Sequence, residues 1–230
     1  MKRKQEQQPK LKLYYFDIKG KGEPIRLLCA YAGLDLEDHR FATRDEFLAM
    51  REGTRLTFSQ VPMLEIDGKH TLVQSGAIMR YLGKLASLYP NDPVQAAKVD
   101  AIMDQETDAF TGVTVLTYAS RFGLEQTPEE MEKTFENISE EILPGHLKNV
   151  EKLLIASTTG WLASTDDPSP ADFMWWVKLS TIAERKEIKL NLEPFPKIQA
   201  FMAKFESLEA IQEYYAEKED ELVTGVEGKM

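Results

Sequence analysis

Asp67-Gly68 lies between two short apolar runs, Val61-Pro62-Met63-Leu64-Glu65-Ile66 and His70-Thr71-Leu72-Val73. That dipeptide suits the positive φ values of a type I′ turn, so the stretch is expected to fold as a tight antiparallel hairpin. Directly after it, Ser75 is the expected N-cap of a helix whose apolar residues Ala77, Ile78, Tyr81, Leu82 and Leu85 recur every three to four positions. A hairpin that runs straight into a helix cannot bury its apolar face alone. Partners must come from elsewhere in the chain.

They lie upstream. Leu13-Tyr14-Tyr15-Phe16 is aromatic and strand-like, and Lys19-Gly20-Lys21-Gly22 makes a loop. Glu23-Pro24 opens a helix with Ile25, Leu28, Cys29 and Ala32 at helical spacing, and Gly33 stops it. Residues 36–41 read weakly as a second strand and Arg44 to Arg51 as a short helix. The order is βαβ, α, ββ, α over residues 11–88, too small for a dinucleotide-binding fold. Tyr89-Pro90-Asn91-Asp92-Pro93 is a dense turn cluster and the expected linker. Beyond it the pattern is helical throughout, with stretches at about 94–120, 128–157, 170–187, 194–204 and 207–218. Ser169-Pro170-Ala171-Asp172 marks a sharp helix start, with Ser as N-cap, Pro at the first position and an acid two residues later. The sequence therefore predicts an α/β domain at 11–88 followed by an all-α domain at 94–218.

Composition narrows the function. The chain has 230 residues, 43% of them hydrophobic, enough for a packed core in each domain. Its net charge of −10 disfavours nucleic acid and anionic membrane as partners. The first twelve residues are basic and lack the apolar centre of a signal peptide, and no apolar run approaches the ~18 residues of a membrane helix, so a cytoplasmic protein is expected. These residues, and the acidic tail from Glu213 onward, read as solvated ends. One cysteine, Cys29, rules out an intrachain disulfide or a Cys-x-x-Cys pair, and its place on an apolar helix face suits a buried residue. His39, His70 and His146 are scattered, so no metal site is expected. Gly20-x-Gly22 lacks the third glycine of a phosphate cradle, and Asn137-Ile138-Ser139 reads as a chance sequon.

Three features suit chemistry. Pro62 at the start of a strand is either a trans residue on an edge or a cis residue that turns the Val61 backbone outward. Gln74-Ser75, at a strand-to-helix junction, is either a cap or a carboxylate site made of free N–H groups, the helix dipole and a side-chain amide. Tyr15 alternates with Tyr14 and Phe16 on the first strand and so faces the other way, either as a packing residue or as a phenolic donor.

Together these residues resemble the cytosolic glutathione S-transferases, most closely the sigma-like class. The resemblance is carried by Tyr15-Phe16 with Gly20-Lys21-Gly22-Glu23-Pro24-Ile25-Arg26, by Gln60-Val61-Pro62-Met63-Leu64-Glu65-Ile66-Asp67-Gly68, and by Gln74-Ser75-Gly76-Ala77-Ile78-Met79-Arg80-Tyr81-Leu82. It covers residues 11–218, more loosely in the helical part. It implies a thioredoxin-like N-terminal domain that binds glutathione, an all-helical C-terminal domain that walls the electrophile site, and a homodimer. Tyr15 would be catalytic, donating its O–H to the glutathione sulfur. Gln74 and Ser75 would hold the γ-glutamyl carboxylate, Gln60, Val61 and Pro62 would flank the cysteinyl unit, and Phe47 and Arg51 would meet the glycyl end. Asp108 would reach across the dimer to the γ-glutamyl amine. Ile18, Gly20, Lys21, Phe110 and Val115 would line the electrophile site. Asp100, Asp104 and Asp108 recur on one face of the fourth helix, either as a solvated acidic stripe or as a cation cluster.

The activity implied is conjugation of glutathione, as co-substrate, to small hydrophobic electrophiles, a detoxification chemistry. A glutathione-dependent prostaglandin isomerase or peroxidase, or a silent crystallin-like relative, is the alternative. A thiol with a pKa near 8.5 is mostly protonated at pH 7, and lowering it by about two units takes ~2.7 kcal/mol, the scale of one or two charge-assisted hydrogen bonds. The nucleophile arrives with the co-substrate, so the chain's own cysteine need not react.

Overall fold

The computed structural model describes residues 8–227, with side chains described to Lys218. The reading of the extreme basic N-terminus, residues 1–7, lies outside them. By their contacts the described residues form two compact units, one running to Ser87 and resuming at Ser207, the other spanning Leu88–Glu206.

In the first unit, strands β1 (Leu11–Phe16), β2 (Leu36–Phe41), β3 (Met63–Ile66) and β4 (His70–Val73) form one sheet in the order β2-β1-β3-β4. β1 pairs parallel with β2 and antiparallel with β3, bringing Tyr14 opposite Met63 and Lys12 opposite Glu65. Asp67 and Gly68, at φ 54° and 65°, are the central residues of the turn between β3 and β4, which Lys69 N closes by donating to the Ile66 carbonyl at 3.0 Å. Helices α1 (Glu23–Ala32) and α3 (Ser75–Leu85) pack on each other, and α2 (Arg44–Glu52) lies by β2. Gly33 closes α1 in the left-handed conformation. Leu13, Ile25, Leu27, Leu28, Ile78 and Leu82 are fully buried. Cys29 lies among the buried residues, and desolvation pushes its thiol pKa up to about 12, so it is inert packing.

Both faces of β1 are covered. Tyr14 joins Phe41, Leu56 and Met63, with Phe16, Phe47 and Met50 against them, on the face that α2 covers. Tyr15 turns to the other face, toward the start of α1.

The second unit contains α4 (Pro93–Thr117), α5 (Pro128–Asn137), α6 (Leu143–Ala156), α7 (Pro170–Ala183) and α8 (Pro196–Glu206). The stretch expected as one helix over 128–157 is divided by a π-helical turn at Ile138–Ile142. There Ser139 Oγ donates to the Phe135 carbonyl at 2.7 Å and accepts from Lys189 N at 3.1 Å, and Pro144 cannot donate a backbone hydrogen bond. The core is aromatic: Trp176 stacks on Phe205 with centroids 4.9 Å apart, and Trp175 Nε1 donates to the Ile102 carbonyl.

Helix α9 (Glu209–Glu227) runs past the helix expected at 207–218 and packs on α1, so the tail from Glu213, expected as a solvated end, is anchored as far as Lys218. Tyr215 Oη donates to Glu23 at 3.1 Å, and Lys218 Nζ lies 3.9 Å from the same carboxylate. Glu23 and Arg26 are buried charges on α1, and cationic and phenolic groups from α9 complete their shell. Among the described residues no helix is long and apolar enough to cross a membrane.

Candidate functional site

The turn after β1 is built around Tyr15. Its ring is 7% exposed, and its Oη accepts a hydrogen bond from Lys21 N at 3.0 Å. A Cβ at Gly20 would come within 2.7 Å of that oxygen, and one at Gly22 within 2.5 Å of the ring. The two glycines therefore let the backbone lie against the tyrosine, and Gly20, at φ 41°, also needs the left-handed conformation. Gly20 packs on Tyr15 and is itself exposed on the turn.

Arg26 fixes the same turn from below, a role that sequence reasoning missed. Its guanidinium, 3% exposed, donates to the carbonyls of Ile18 and Phe16 at 2.9 and 3.2 Å and to Asp38 at 2.9 Å, and lies 3.1 Å from Glu23. The signal was present as an arginine between Ile25 and Leu27 on an apolar helix, because a buried guanidinium needs several acceptors.

At the far side of the turn, the Val61–Pro62 bond is cis. Gln74 is the residue that differs from expectation: it, not Ser75, is the N-cap of α3, and its carbonyl accepts from Ile78 N at 3.0 Å. Ser75 is the first helical residue, because Gln74 adopts φ 72° and makes the chain turn one residue earlier. No side chain caps this helix start, so the first N–H groups and the positive end of the dipole are left without a side-chain acceptor.

These pieces meet. Lys21, Gln60, Val61, Pro62, Gln74 and Ser75 line one cleft with an inner volume of about 30 Å³, room for a carboxylate-sized group rather than a whole tripeptide. Gln74 Nε2 and Gln60 Oε1 are 3.5 Å apart across it. Through Lys21 N, the Tyr15 oxygen is tied to the cleft's own lining.

Other expected residues lie elsewhere. Phe47 packs on Phe16 and Phe41 with centroids 5.0 and 5.7 Å apart, the Arg51 guanidinium lies 5.8 Å from the Phe47 ring, and neither lines the cleft. Phe47 is half-buried against the cluster around Tyr14 and Phe41. Ile18 is 53% exposed on the turn. In the second unit, Phe110 is 1% exposed and meets Trp175 edge-on, so its ring is core rather than wall, while Val115 is half-buried. Asp104 and Asp108 are exposed on α4 and Asp100 is half-buried. Among the described residues no group of three His, Cys, Asp or Glu side chains is placed to hold a metal ion.

Residues 11–84 match the glutathione S-transferase N-terminal domain, and residues 115–218 match the glutathione S-transferase C-terminal domain. The chain is 36% identical over 154 residues to glutathione S-transferase 1 of Ascaris suum, covering 67% of this chain and 71% of that one. It is 31% identical over 209 residues to hematopoietic prostaglandin D synthase of Gallus gallus, covering 88% and 94%. Among solved structures, the glutathione S-transferase of Ascaris lumbricoides superposes with a TM-score of 0.74 at 29% identity, covering 91% of this chain and 97% of that one. With a thioredoxin-like unit, a helical unit and both domain signatures in order, the chain belongs to the glutathione S-transferases, enzymes that use glutathione as co-substrate.

Proposed function

We propose that the protein activates glutathione as a thiolate and conjugates it to small hydrophobic electrophiles, with Tyr15 as the donor to sulfur. The observation that carries this reading is the link between Tyr15 Oη and the backbone of Lys21, a residue of the cleft that also holds Gln74 and the start of α3. The γ-glutamyl carboxylate fits that helix start, where Ser75 and the Gln74 amide add donors and the dipole favours an anion. Val61 and Gln60 flank the cysteinyl unit. The Lys21 amide fixes the phenol oxygen and draws electron density from it, which makes Tyr15 a better donor to a developing thiolate. Lys21 brings positive charge to the same cleft, offsetting the repulsion that a chain of net charge −10 exerts on a tripeptide with two carboxylates.

Phe47 and Arg51, which do not line the cleft, are left to the glycyl end of the tripeptide. Ile18 and Lys21 on the turn are the electrophile-facing residues of the first unit. The same reading makes the protein a cytoplasmic homodimer of the sigma-like class, in which exposed Asp108 meets the γ-glutamyl amine bound by the partner subunit.

The test is conjugation of glutathione to an aromatic halide by wild type, Tyr15→Phe and Tyr14→Phe, with glutathione affinity measured alongside. Tyr15→Phe is expected to lower kcat by about tenfold to a hundredfold while leaving affinity within about threefold, the loss of one hydrogen bond to a charged group. Binding without turnover in wild type would sink the enzyme reading. Full activity in Tyr15→Phe with loss in Tyr14→Phe would sink the assignment of the strand faces. The similarity to a prostaglandin D synthase supports a second reading, isomerisation with glutathione as cofactor, and product analysis separates it from conjugation.

A further inference from the structure

The opposite face of the sheet carries a larger cavity, of about 420 Å³, between α2 and the strands. It shares no lining residue with the cleft at Lys21 and Gln74. Its floor is aromatic and apolar, made by the buried rings of Tyr14 and Phe41 with Met50 beside them, and the His39 ring stands against both, at 48° to Tyr14 and 83° to Phe41. Two cations also line it. Lys12 Nζ lies 5.2 Å and the Arg55 guanidinium 4.9 Å from the Tyr14 ring centroid, and Arg55 reaches the Tyr14 hydroxyl at 3.4 Å. The lining holds one carboxylate, Glu46, which is already engaged by His39 Nε2 at 2.7 Å and Ala42 N at 2.9 Å.

Lys12 and Arg55 are ion-paired with Glu37 and Glu65, neither of which lines the cavity. Each pair has one well-exposed member, Glu37 in one and Arg55 in the other, beside a half-buried one, so solvent screens both pairs in part and a ligand anion can compete with the carboxylate partner. A volume of this size falls in the usual range for small-molecule sites, roughly 300 to 1,000 Å³. Aromatic side chains in the lining select a planar ring by offset or edge contact. A guanidinium fork beside an ammonium selects a carboxylate. We propose that this face of the sheet binds a planar aromatic monocarboxylate, with its ring over Tyr14, Phe41 and Met50 and its carboxylate between Lys12 and Arg55.

The test is titration of the whole protein with 2-naphthoate, by calorimetry and by the ε-methyl NMR signal of Met50, with and without saturating glutathione. The expected result is one site per chain, a shift of the Met50 signal, and an affinity that glutathione leaves unchanged. Arg55→Ala and Lys12→Ala should each weaken binding by about tenfold, and the neutral 2-naphthalenemethanol should bind wild type about tenfold more weakly than the acid. Arg55→Lys should fall between wild type and Arg55→Ala. Neither residue touches the Tyr15 cleft, so conjugation activity should be unaltered in these variants, and circular dichroism shows that they are folded. Equal affinity in wild type and both alanine variants, displacement by glutathione, or no binding at millimolar naphthoate would each overturn the proposal. Because the titration is also run without glutathione, failure of the conjugation reading leaves this result intact.

Discussion

Helices α7 and α3 begin in opposite ways. At the start of α7 the chain closes the helix with its own side chains: Asp172 accepts from Leu162 N and Ser169 N at 2.8 Å each and from Ser169 Oγ at 2.7 Å, and the carboxylate is fully buried. At the start of α3 no side chain caps the helix, the N-cap Gln74 holds a positive φ, and the cleft beside it is lined by polar residues. The electrostatics of the two helix ends are alike. In one unit the chain's own carboxylate fills the anion site and serves folding. In the other the helix start opens on a cleft, where the proposed function seats the γ-glutamyl carboxylate.

The largest expected effect tests the closed end. Asp172→Ala removes the acceptor for three donors in a buried pocket and should destabilise the protein by about 3 to 5 kcal/mol, read as a fall in the urea midpoint. Asp172→Asn keeps the shape and one acceptor oxygen and should cost about half as much. Loss below about 1 kcal/mol in Asp172→Ala would mean that the helix start does not depend on this carboxylate.

A somewhat smaller effect follows from titration of the same group. Burial raises the Asp172 pKa from 3.8 to about 6, outweighing the hydrogen bonds that pull it down. The folded state therefore binds this proton more tightly than the unfolded chain does. The contribution is full below about pH 4 and is lost as the pH rises through about 6, amounting to about 3 kcal/mol for a shift of this size. Urea midpoints between pH 4 and pH 7 should decline more steeply in wild type than in Asp172→Asn, which has no proton to lose. Parallel profiles would place the titration elsewhere.

The same contrast explains what was legible in the chain. The closed helix start is written in consecutive residues, Ser169 to Asp172, and its capping box is found where the sequence puts it. The Asp67-Gly68 turn and the alternation that turns Tyr15 away from Tyr14 are equally local, and both are seen in the fold. Gln74 as N-cap was missed because a positive φ at a glutamine has no compositional signal, so Ser75 was the expected cap. Arg26 was quoted as motif but not understood, since its acceptors Phe16 and Ile18 on one turn and Asp38 on β2 come from two separate places along the chain. The contact of helix α9 with α1 was not legible for the same reason. Its partner Glu23 is 192 residues away, and nothing local marks Tyr215 or Lys218 as inward-facing. Phe110 was read as a ligand wall from resemblance, whereas its contact with Trp175 makes it core.

The smallest effect tests the open end and separates backbone from side chain. Gln74 sits at φ 72°, a conformation that costs a non-glycine residue about 1 to 3 kcal/mol. Gln74→Ala keeps that strain and loses only the amide, so it should weaken glutathione binding by about tenfold, roughly 1.4 kcal/mol, with stability unchanged within about 0.5 kcal/mol. Gln74→Gly loses the same amide but relaxes the backbone, and should gain about 1 kcal/mol in urea unfolding while binding no better than the alanine variant. Calorimetric titration with glutathione and urea melts of the two variants measure both quantities. Greater stability together with weaker binding in Gln74→Gly would show that α3 is held in a strained, open form for its ligand. If Gln74→Gly binds as wild type does, the backbone N–H groups and the dipole suffice, and the Gln74 amide has no part in recognising the carboxylate.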